Sequence, residues 1–266
     1  MNINEIITAV VALSILSIII GIVLSIAEKA FHIDINELEV AIRDVLPGSN
    51  CGGCGYAGCD SLAKAIANGE AEVSACPVGR QPVAEKIAEI MGKELGDIEK
   101  KVAYVKCDGT SEKRETDYNY FGIDNCAYAA KMPGSSPYAC KYGCLGYGSC
   151  AKVCDQRAIR IIDRKAVVDE DLCVACGKCL KVCPHNLIEL VPANSKNRVQ
   201  CSSKSKGKDV REACSAGCIA CGLCAKNCPS DAIIFENNIA KIDYSKCTHC
   251  GACVEKCPRK IIKIYE

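Results

Sequence analysis

Twenty-four of the 266 residues are cysteine, well above ordinary usage, and their spacing indicates what they do. Cys218, Cys221, Cys224 and Cys228-Pro229 form one run, and Cys247, Cys250, Cys253 and Cys257-Pro258 form another. Three thiols spaced two residues apart surround one small object. That suits an iron–sulfur cluster and not three independent cross-links. Structural zinc sites come instead as separated cysteine pairs, which these runs match poorly. Cluster ligands are thiolates, so the cysteine-rich part is expected in a reducing compartment, the cytoplasm.

The second half of the chain is a duplication with a period of 74 residues. Cys140, Cys144, Cys150 and Cys154 recur as Cys214, Cys218, Cys224 and Cys228, and Cys173, Cys176, Cys179 and Cys183 recur as Cys247, Cys250, Cys253 and Cys257. The intervening hairpins match as well, Ala158-Ile159 with Ala232-Ile233 and Val168-Asp169 with Ile242-Asp243. Each unit resembles a bacterial two-cluster ferredoxin, in which the fourth cysteine of each run serves the other cluster. The expected sets are Cys218, Cys221, Cys224 with Cys257; Cys247, Cys250, Cys253 with Cys228; and Cys173, Cys176, Cys179 with Cys154.

The first run of unit one departs from its copy. Tyr147 stands where the repeat has Cys221, and Asp155 where it has Pro229, so Cys144, Cys150 and Cys183 need a fourth ligand. Val105 and Cys107 resemble Val199 and Cys201 at an offset of 94, so unit one carries about 20 extra residues before Cys140. That insertion holds Cys126. The preferred reading has Cys126 replace the missing ligand, while Cys107, Cys140, Cys201 and Cys214 close a sixth cluster. In the alternative, Cys140 is the replacement and Cys107, Cys126, Cys201 and Cys214 remain. A third reading makes these residues buried thiols without iron.

Upstream lies Asn50-Cys51-Gly52-Gly53-Cys54 with Cys59, and Cys76-Pro77 after a helical stretch. The glycines let the backbone wrap closely and turn its N–H groups toward sulfur, so one [4Fe–4S] cluster is expected on Cys51, Cys54, Cys59 and Cys76. A short amphipathic helix over 35–46, carrying Ile35, Leu38, Val40, Ala41, Ile42, Val45 and Leu46, is stopped by Pro47-Gly48. A further helix over 81–95 puts Val83, Ile87, Ile90 and Met91 on one face, for packing.

From Ile6 to Ala27 the chain runs 22 residues without a charge, between Glu5 and Glu28-Lys29. That is long enough to cross a bilayer as a helix. A cleaved signal peptide would have basic residues before the apolar run, and the flank Met1–Glu5 has none. The reading is one uncleaved membrane helix, with Lys29 and Arg43 favouring a cytoplasmic C-terminal side. The span has no ionisable residue of the kind an ion path uses, so if the protein serves an ion pump, the conduit belongs to other subunits.

The charge balance, 33 basic against 32 acidic residues, gives no electrostatic footprint for nucleic acid. No phosphate loop, dinucleotide fingerprint or hydrolase nucleophile pattern is present, so no complete active site is expected. His32, His185 and His249 lie beside the anchor or in runs whose cysteines are already complete. Lys196, Arg198, Lys204, Lys206, Lys208 and Arg211 read as a solvated connection between the units, or as a docking face for an acidic redox protein.

The order of parts resembles the B subunits of Rnf complexes: an apolar span, then Cys51-Gly-Gly-Cys54, Cys59 and Cys76-Pro, then ferredoxin-like repeats. The Cys51–Cys76 module is also similar to cluster domains of corrinoid iron–sulfur proteins. The resemblance implies a bacterial membrane complex that oxidises soluble reduced ferredoxin, reduces NAD and moves Na⁺ or H⁺. Other membrane and peripheral subunits would then carry the flavins, the NAD site and the ion path. The fold expected is α+β: an anchor over 1–31, a mainly helical cluster module over 32–98, ferredoxin-like unit one with its insertion over 99–192, and unit two over 193–266. Five [4Fe–4S] clusters are expected, six if every cysteine is a ligand. They would form a single-pass relay with its clusters on the cytoplasmic face of the membrane. Rival readings are a relay of another membrane dehydrogenase and a non-redox metal scaffold.

Overall fold

The computed structural model describes residues 3–30, 36–96 and 98–265. Phe31, His32 and Ile35, with the side chains of Glu5 and Glu28, lie outside them. The apolar run forms α1 (Ile3–Ala30), and its Val10–Ala27 stretch has a mean hydropathy of 2.9 and is uncovered by protein. The Ser14 and Ser17 hydroxyls donate to the carbonyls one turn back, at 2.8 and 2.9 Å. This satisfies them inside the helix, as an apolar surrounding requires. The helix is long and apolar enough to cross a bilayer, which is compatible with membrane association.

A small helical body follows, made of α2 (Glu37–Val45), α3 (Cys59–Ala67) and α4 (Arg80–Met91). The Asn36 side chain caps α2 by accepting from Leu38 N–H at 3.0 Å. Ile42 and Leu46 are buried against Leu62, Ile66 and Ile87. Leu38 and Val40, placed on the packed face from sequence, are exposed. The packing of α2 on the other two helices begins only at Ile42, so the first turn has no neighbour to bury it. α4 ends at Gly92, whose φ of +61° makes a left-handed C-cap, earlier than the expected stop at residue 95.

The remainder is short strands, loops and single-turn helices. β1 (Lys101–Val105) pairs antiparallel with β4 (Ile188–Pro192), bracketing the hairpin of β2 (Ile159–Ile162) and β3 (Lys165–Val168). β5 (Asn197–Val199) likewise pairs with β8 (Ile262–Ile264) around the hairpin of β6 (Ile233–Glu236) and β7 (Ile239–Ile242). Both hairpin turns are two residues long, Asp163-Arg164 and Asn237-Asn238, with positive φ throughout. That twist matches the strands they join. Single-turn helices α5 (Cys126–Ala129), α6 (Ser149–Lys152), α7 (Lys178–Val182), α9 (Leu223–Lys226) and α10 (Ala252–Glu255) carry or flank the cysteines, and α8 (Gly207–Ala213) precedes Cys214. The core between them is small aliphatics and sulfur, consistent with a chain of three Phe and no Trp.

The connection between repeats is not a plain solvated loop. Arg198 lies in β5 at 1% exposure. It forms a two-pronged ion pair with Glu170, the second contact at 3.0 Å, and faces the Tyr265 and Tyr104 rings at 4.6 and 5.5 Å. Lys204, Lys206, Lys208 and Arg211 remain exposed, two of them on α8. Pairing with β8 is what turns Arg198 inward.

Candidate metal centres

The cysteine runs take a backbone path that recurs four times. Residues 146, 175, 220 and 249 have positive φ, as do 148, 177, 222 and 251 two positions later. Three of the first group (Ala175, Ala220, His249) are not glycine, so the surrounding structure holds them in a conformation that L side chains avoid. Alternating right- and left-handed residues turn successive N–H groups inward, a concavity suited to an anion. N–H groups donate to sulfur at several points: Gly79 to Cys76 at 3.4 Å, Ala103 to Cys173 at 3.2 Å and Leu187 to Cys183 at 3.4 Å.

The sulfurs gather in groups, and Cys51 lines the same cavity as Cys154, Cys173, Cys176 and Cys179. Cys54, Cys59 and Cys76 act on one another in the helical body, where Asn50 Oδ1 accepts from Cys59 N–H at 2.8 Å and so fixes both ends of the Cys51–Cys59 loop. Cys154, Cys173, Cys176 and Cys179 line one cavity. Cys218, Cys221, Cys224 and Cys257 line another. Cys247, Cys224 and Cys228 all act on Cys253, with Cys250 in the same run.

Cys126, Cys144, Cys150 and Cys183 share a further cavity. Cys126 opens α5, and its N–H donates to Ser149 Oγ at 2.8 Å, which ties the insertion to the turn bearing Cys150. Tyr147, at the sequence position of the missing ligand, is buried against Tyr120 with ring centroids 5.0 Å apart. Asp155 points elsewhere and accepts from Lys178 at 2.6 Å. Cys140 lies with Cys107, Cys201 and Cys214 around a cavity of about 60 Å³, two sulfurs from each repeat.

Burial, and then the neighbouring sulfurs, push the Cys150 and Cys179 thiols up to about 12 and Cys140, Cys144, Cys218 and Cys253 up to about 11. Such groups do not ionise together unless positive charge sits among them. Four thiols lining one cavity, inward N–H groups and a penalty on unneutralised thiolate fit an iron–sulfur cluster. Among the described residues, no three Cys, His, Asp or Glu side chains close tightly enough for a single ion.

Neighbouring sets touch. Cys144 N–H donates to Cys107 Sγ at 3.3 Å, and its repeat Cys218 donates to Cys201 Sγ at the same distance. His185 Nδ1 meets the Gly143 carbonyl at 2.7 Å, while its repeat counterpart Arg259 donates Nε–H to the Gly217 carbonyl at 3.3 Å. His185 thus braces backbone, and His249 Nδ1 lies 3.8 Å from Cys247 Sγ. At the other end, Arg80 donates to the Cys173 carbonyl at 2.6 Å, and a methyl group on Gly53 would meet Cys176 at 3.0 Å.

Sequence reading missed three polar residues at these sets: Asn50, Arg114 and Asp108. Their only signal was proximity to a cysteine in the chain. Asp108 is buried and binds Lys263 at 2.7 Å, Lys165 at 2.8 Å and Lys113 at 2.9 Å. Burial pushes its carboxyl up, but the three ammonium groups outweigh this and hold it well below the usual carboxylate range.

Comparison with known proteins agrees with this chemistry. A putative Fe–S cluster family matches residues 46–78, a 4Fe-4S dicluster domain matches 172–232 and 217–261, and an LdpA Fe–S cluster-binding domain matches 140–194. The 172–232 match straddles the two repeats. The chain is 46% identical to the B subunit of the Na(+)-translocating ferredoxin:NAD(+) oxidoreductase complex of Acetobacterium woodii, over 92% of this chain and 73% of that one. It is 44% identical to the B subunit of the proton-translocating ferredoxin:NAD(+) oxidoreductase complex of Clostridium ljungdahlii, over 92% and 86%. It is 41% identical to the B subunit of the ion-translocating oxidoreductase complex of Methanosarcina acetivorans, over 98% and 99%.

Proposed function

The chain belongs to the family of B subunits of ion-translocating ferredoxin:NAD oxidoreductase (Rnf) complexes, and from that premise we propose that it is the electron relay of such a complex, with six [4Fe–4S] sites in single file. The observation that carries this reading is the contact between successive four-cysteine sets. The file runs from Cys51, Cys54, Cys59, Cys76 to Cys154, Cys173, Cys176, Cys179, and next to Cys126, Cys144, Cys150, Cys183. It continues through Cys107, Cys140, Cys201, Cys214 to Cys218, Cys221, Cys224, Cys257, and ends at Cys228, Cys247, Cys250, Cys253. A bound cluster supplies one-electron acceptance and release at each set. The chain's residues hold the sulfurs, turn N–H groups toward them and exclude water, and at three of the five junctions they link one set to the next: Arg80 and Gly53 against Cys173 and Cys176, Cys144 N–H to Cys107, and Cys218 N–H to Cys201.

Soluble ferredoxin is the donor in this reading, and other membrane and peripheral subunits complete the reaction. Cys221 and Cys250 are exposed, which favours entry at unit two. The opposite end of the file leads to α1, which anchors the chain as a single span with the sets on the cytoplasmic side. The divisions proposed are 1–31, 32–98, 99–192 and 193–266. Support comes from the β1–β4 and β5–β8 pairings, each of which closes one repeat on itself.

Iron and acid-labile sulfide, counted on the full chain purified anaerobically in detergent, test the reading. Six four-iron clusters require about 24 of each per chain, and reduced ferredoxin should bleach the cluster absorbance. Little sulfide with a few zinc atoms would overturn it.

A further inference from the structure

Two arginines are at least nine-tenths buried among the described residues, and only Arg198 forms a close ion pair there. Arg198 has Glu170. Arg114, at 5% exposure, has no carboxylate within ion-pair distance among the described residues. Its Nη1 donates to the Cys144 carbonyl and its Nη2 to the Arg164 carbonyl at 2.9 Å. Its guanidinium carbon stands 3.5 Å over the Tyr138 ring, and its Nε finds no partner.

The position is fixed from both sides of a junction. The Arg114 backbone forms an isolated antiparallel bridge with Cys214, and Glu115 N–H donates to the Ala213 carbonyl at 3.1 Å. A methyl group on Gly109 would lie 3.6 Å from both Arg114 Cδ and Cys107 Sγ and 3.7 Å from Cys214 Sγ, so the arginine stem and two sulfurs border one small volume. Its head reaches Cys144, a ligand of the next set. The arginine therefore stands between the set shared by the two repeats and the set completed by Cys126.

Carbonyls and a ring face offer a buried guanidinium only partial negative charge, and an unbalanced buried charge is costly. The Lys113, Lys165 and Lys263 ammonium groups nearby share Asp108, and the acid that feels Arg114 is Asp163, an exposed carboxylate already held by Ser111. We propose that Arg114 is the shared counter-charge of the Cys107, Cys140, Cys201, Cys214 set and the Cys126, Cys144, Cys150, Cys183 set. It raises the reduction potential of the cluster at each and keeps the middle of the relay able to accept an electron. Four thiolates make a cluster anionic and each added electron makes it more so, so a fixed cation nearby favours the reduced form. Arg114 is a positioning residue here. It ligates nothing and moves no proton. The inference rests on the cluster reading above.

The test compares Arg114→Gln and Arg114→Lys in the full chain, by iron and sulfide content and by redox titration followed by EPR. With Gln, iron content holds while two of the six one-electron waves move to lower potential. Their reduced-to-oxidised ratio falls at least tenfold at fixed potential, which is 59 mV or more for one electron. Lys, keeping the charge, restores most of the shift. Full iron with unmoved waves in the Gln variant would overturn the proposal. If Gln loses clusters, Lys decides: retention with native potentials supports the charge role, and equal loss shows a mere backbone clamp and overturns it. Low iron and sulfide in the unmutated chain would instead count against the relay itself.

Discussion

Removing Cys126 is the sharpest test of how the sulfurs are shared. Its thiol is 9% exposed and lines a cavity with Cys144, Cys150 and Cys183, whereas Cys140 lies with Cys107, Cys201 and Cys214. Cys126→Ala should cost one cluster, lowering iron from about 24 to about 20 per chain. Cys140→Ala should cost a different one, again to about 20, and the double variant should fall to about 16, because losses at independent sites add. Tyr147 occupies the position of Cys221 in the repeat, so Tyr147→Cys should restore the iron lost in Cys126→Ala and leave the Cys140→Ala loss untouched. The rescue carries a stability cost. Tyr147 packs on Tyr120 at 5.0 Å, and replacing a buried aromatic with a small side chain costs about 3 kcal/mol, so the melting temperature should fall while iron recovers. The assay is iron and sulfide per chain, with EPR of the reduced protein. A double variant that loses no more iron than either single one would refute the assignment, since both cysteines would then serve one cluster.

Other outcomes follow from the same packing. Asp108→Ala leaves three ammonium groups without their shared acid. Because these lysine side chains are 19–43% exposed and return partly to water, we expect a loss near the low end for a broken buried pair, about 3 kcal/mol, in urea unfolding of the iron-loaded chain. No change there would mean that the cluster of charges does not fasten the repeats. Arg198→Met should likewise destabilise the junction of the repeats by about 3 kcal/mol; unchanged unfolding would show that Glu170, at 31% exposure, is simply rehydrated. Stripping iron with a chelator under reducing conditions should expose residues 99–266 to protease, since their core is largely sulfur. Resistance equal to that of the loaded chain would contradict a cluster-built core. Deleting residues 1–31 should move the chain to the aqueous fraction with its iron unchanged, and retention in the membrane fraction would assign attachment elsewhere.

Spacing alone determined that this chain gathers iron and sulfur. Runs such as Cys218 to Cys228 bring three sulfurs together within a few residues, and backbone geometry over that distance leaves little choice. The 74-residue period made both repeats legible for the same reason, and α1 followed from an uninterrupted apolar run. Tertiary structure decided what lay far apart in the chain. Cys107, Cys140, Cys201 and Cys214 meet because β1 and β5 each close a repeat and set the two repeats side by side. The offsets of 94 and 74 mark these cysteines as counterparts, but only packing brings them together. Cys126 reaches its cavity through a hydrogen bond to Ser149, across an insertion without a counterpart in the copy. The first turn of α2 was misread because amphipathic spacing marks a face but not how far along the helix a neighbour extends. Arg198 reads as a solvated charge in the linear sequence, whereas a carboxylate and two rings from distant segments supply what water would have. The order proposed for the sets likewise rests on contact between folded units, which a linear reading does not supply.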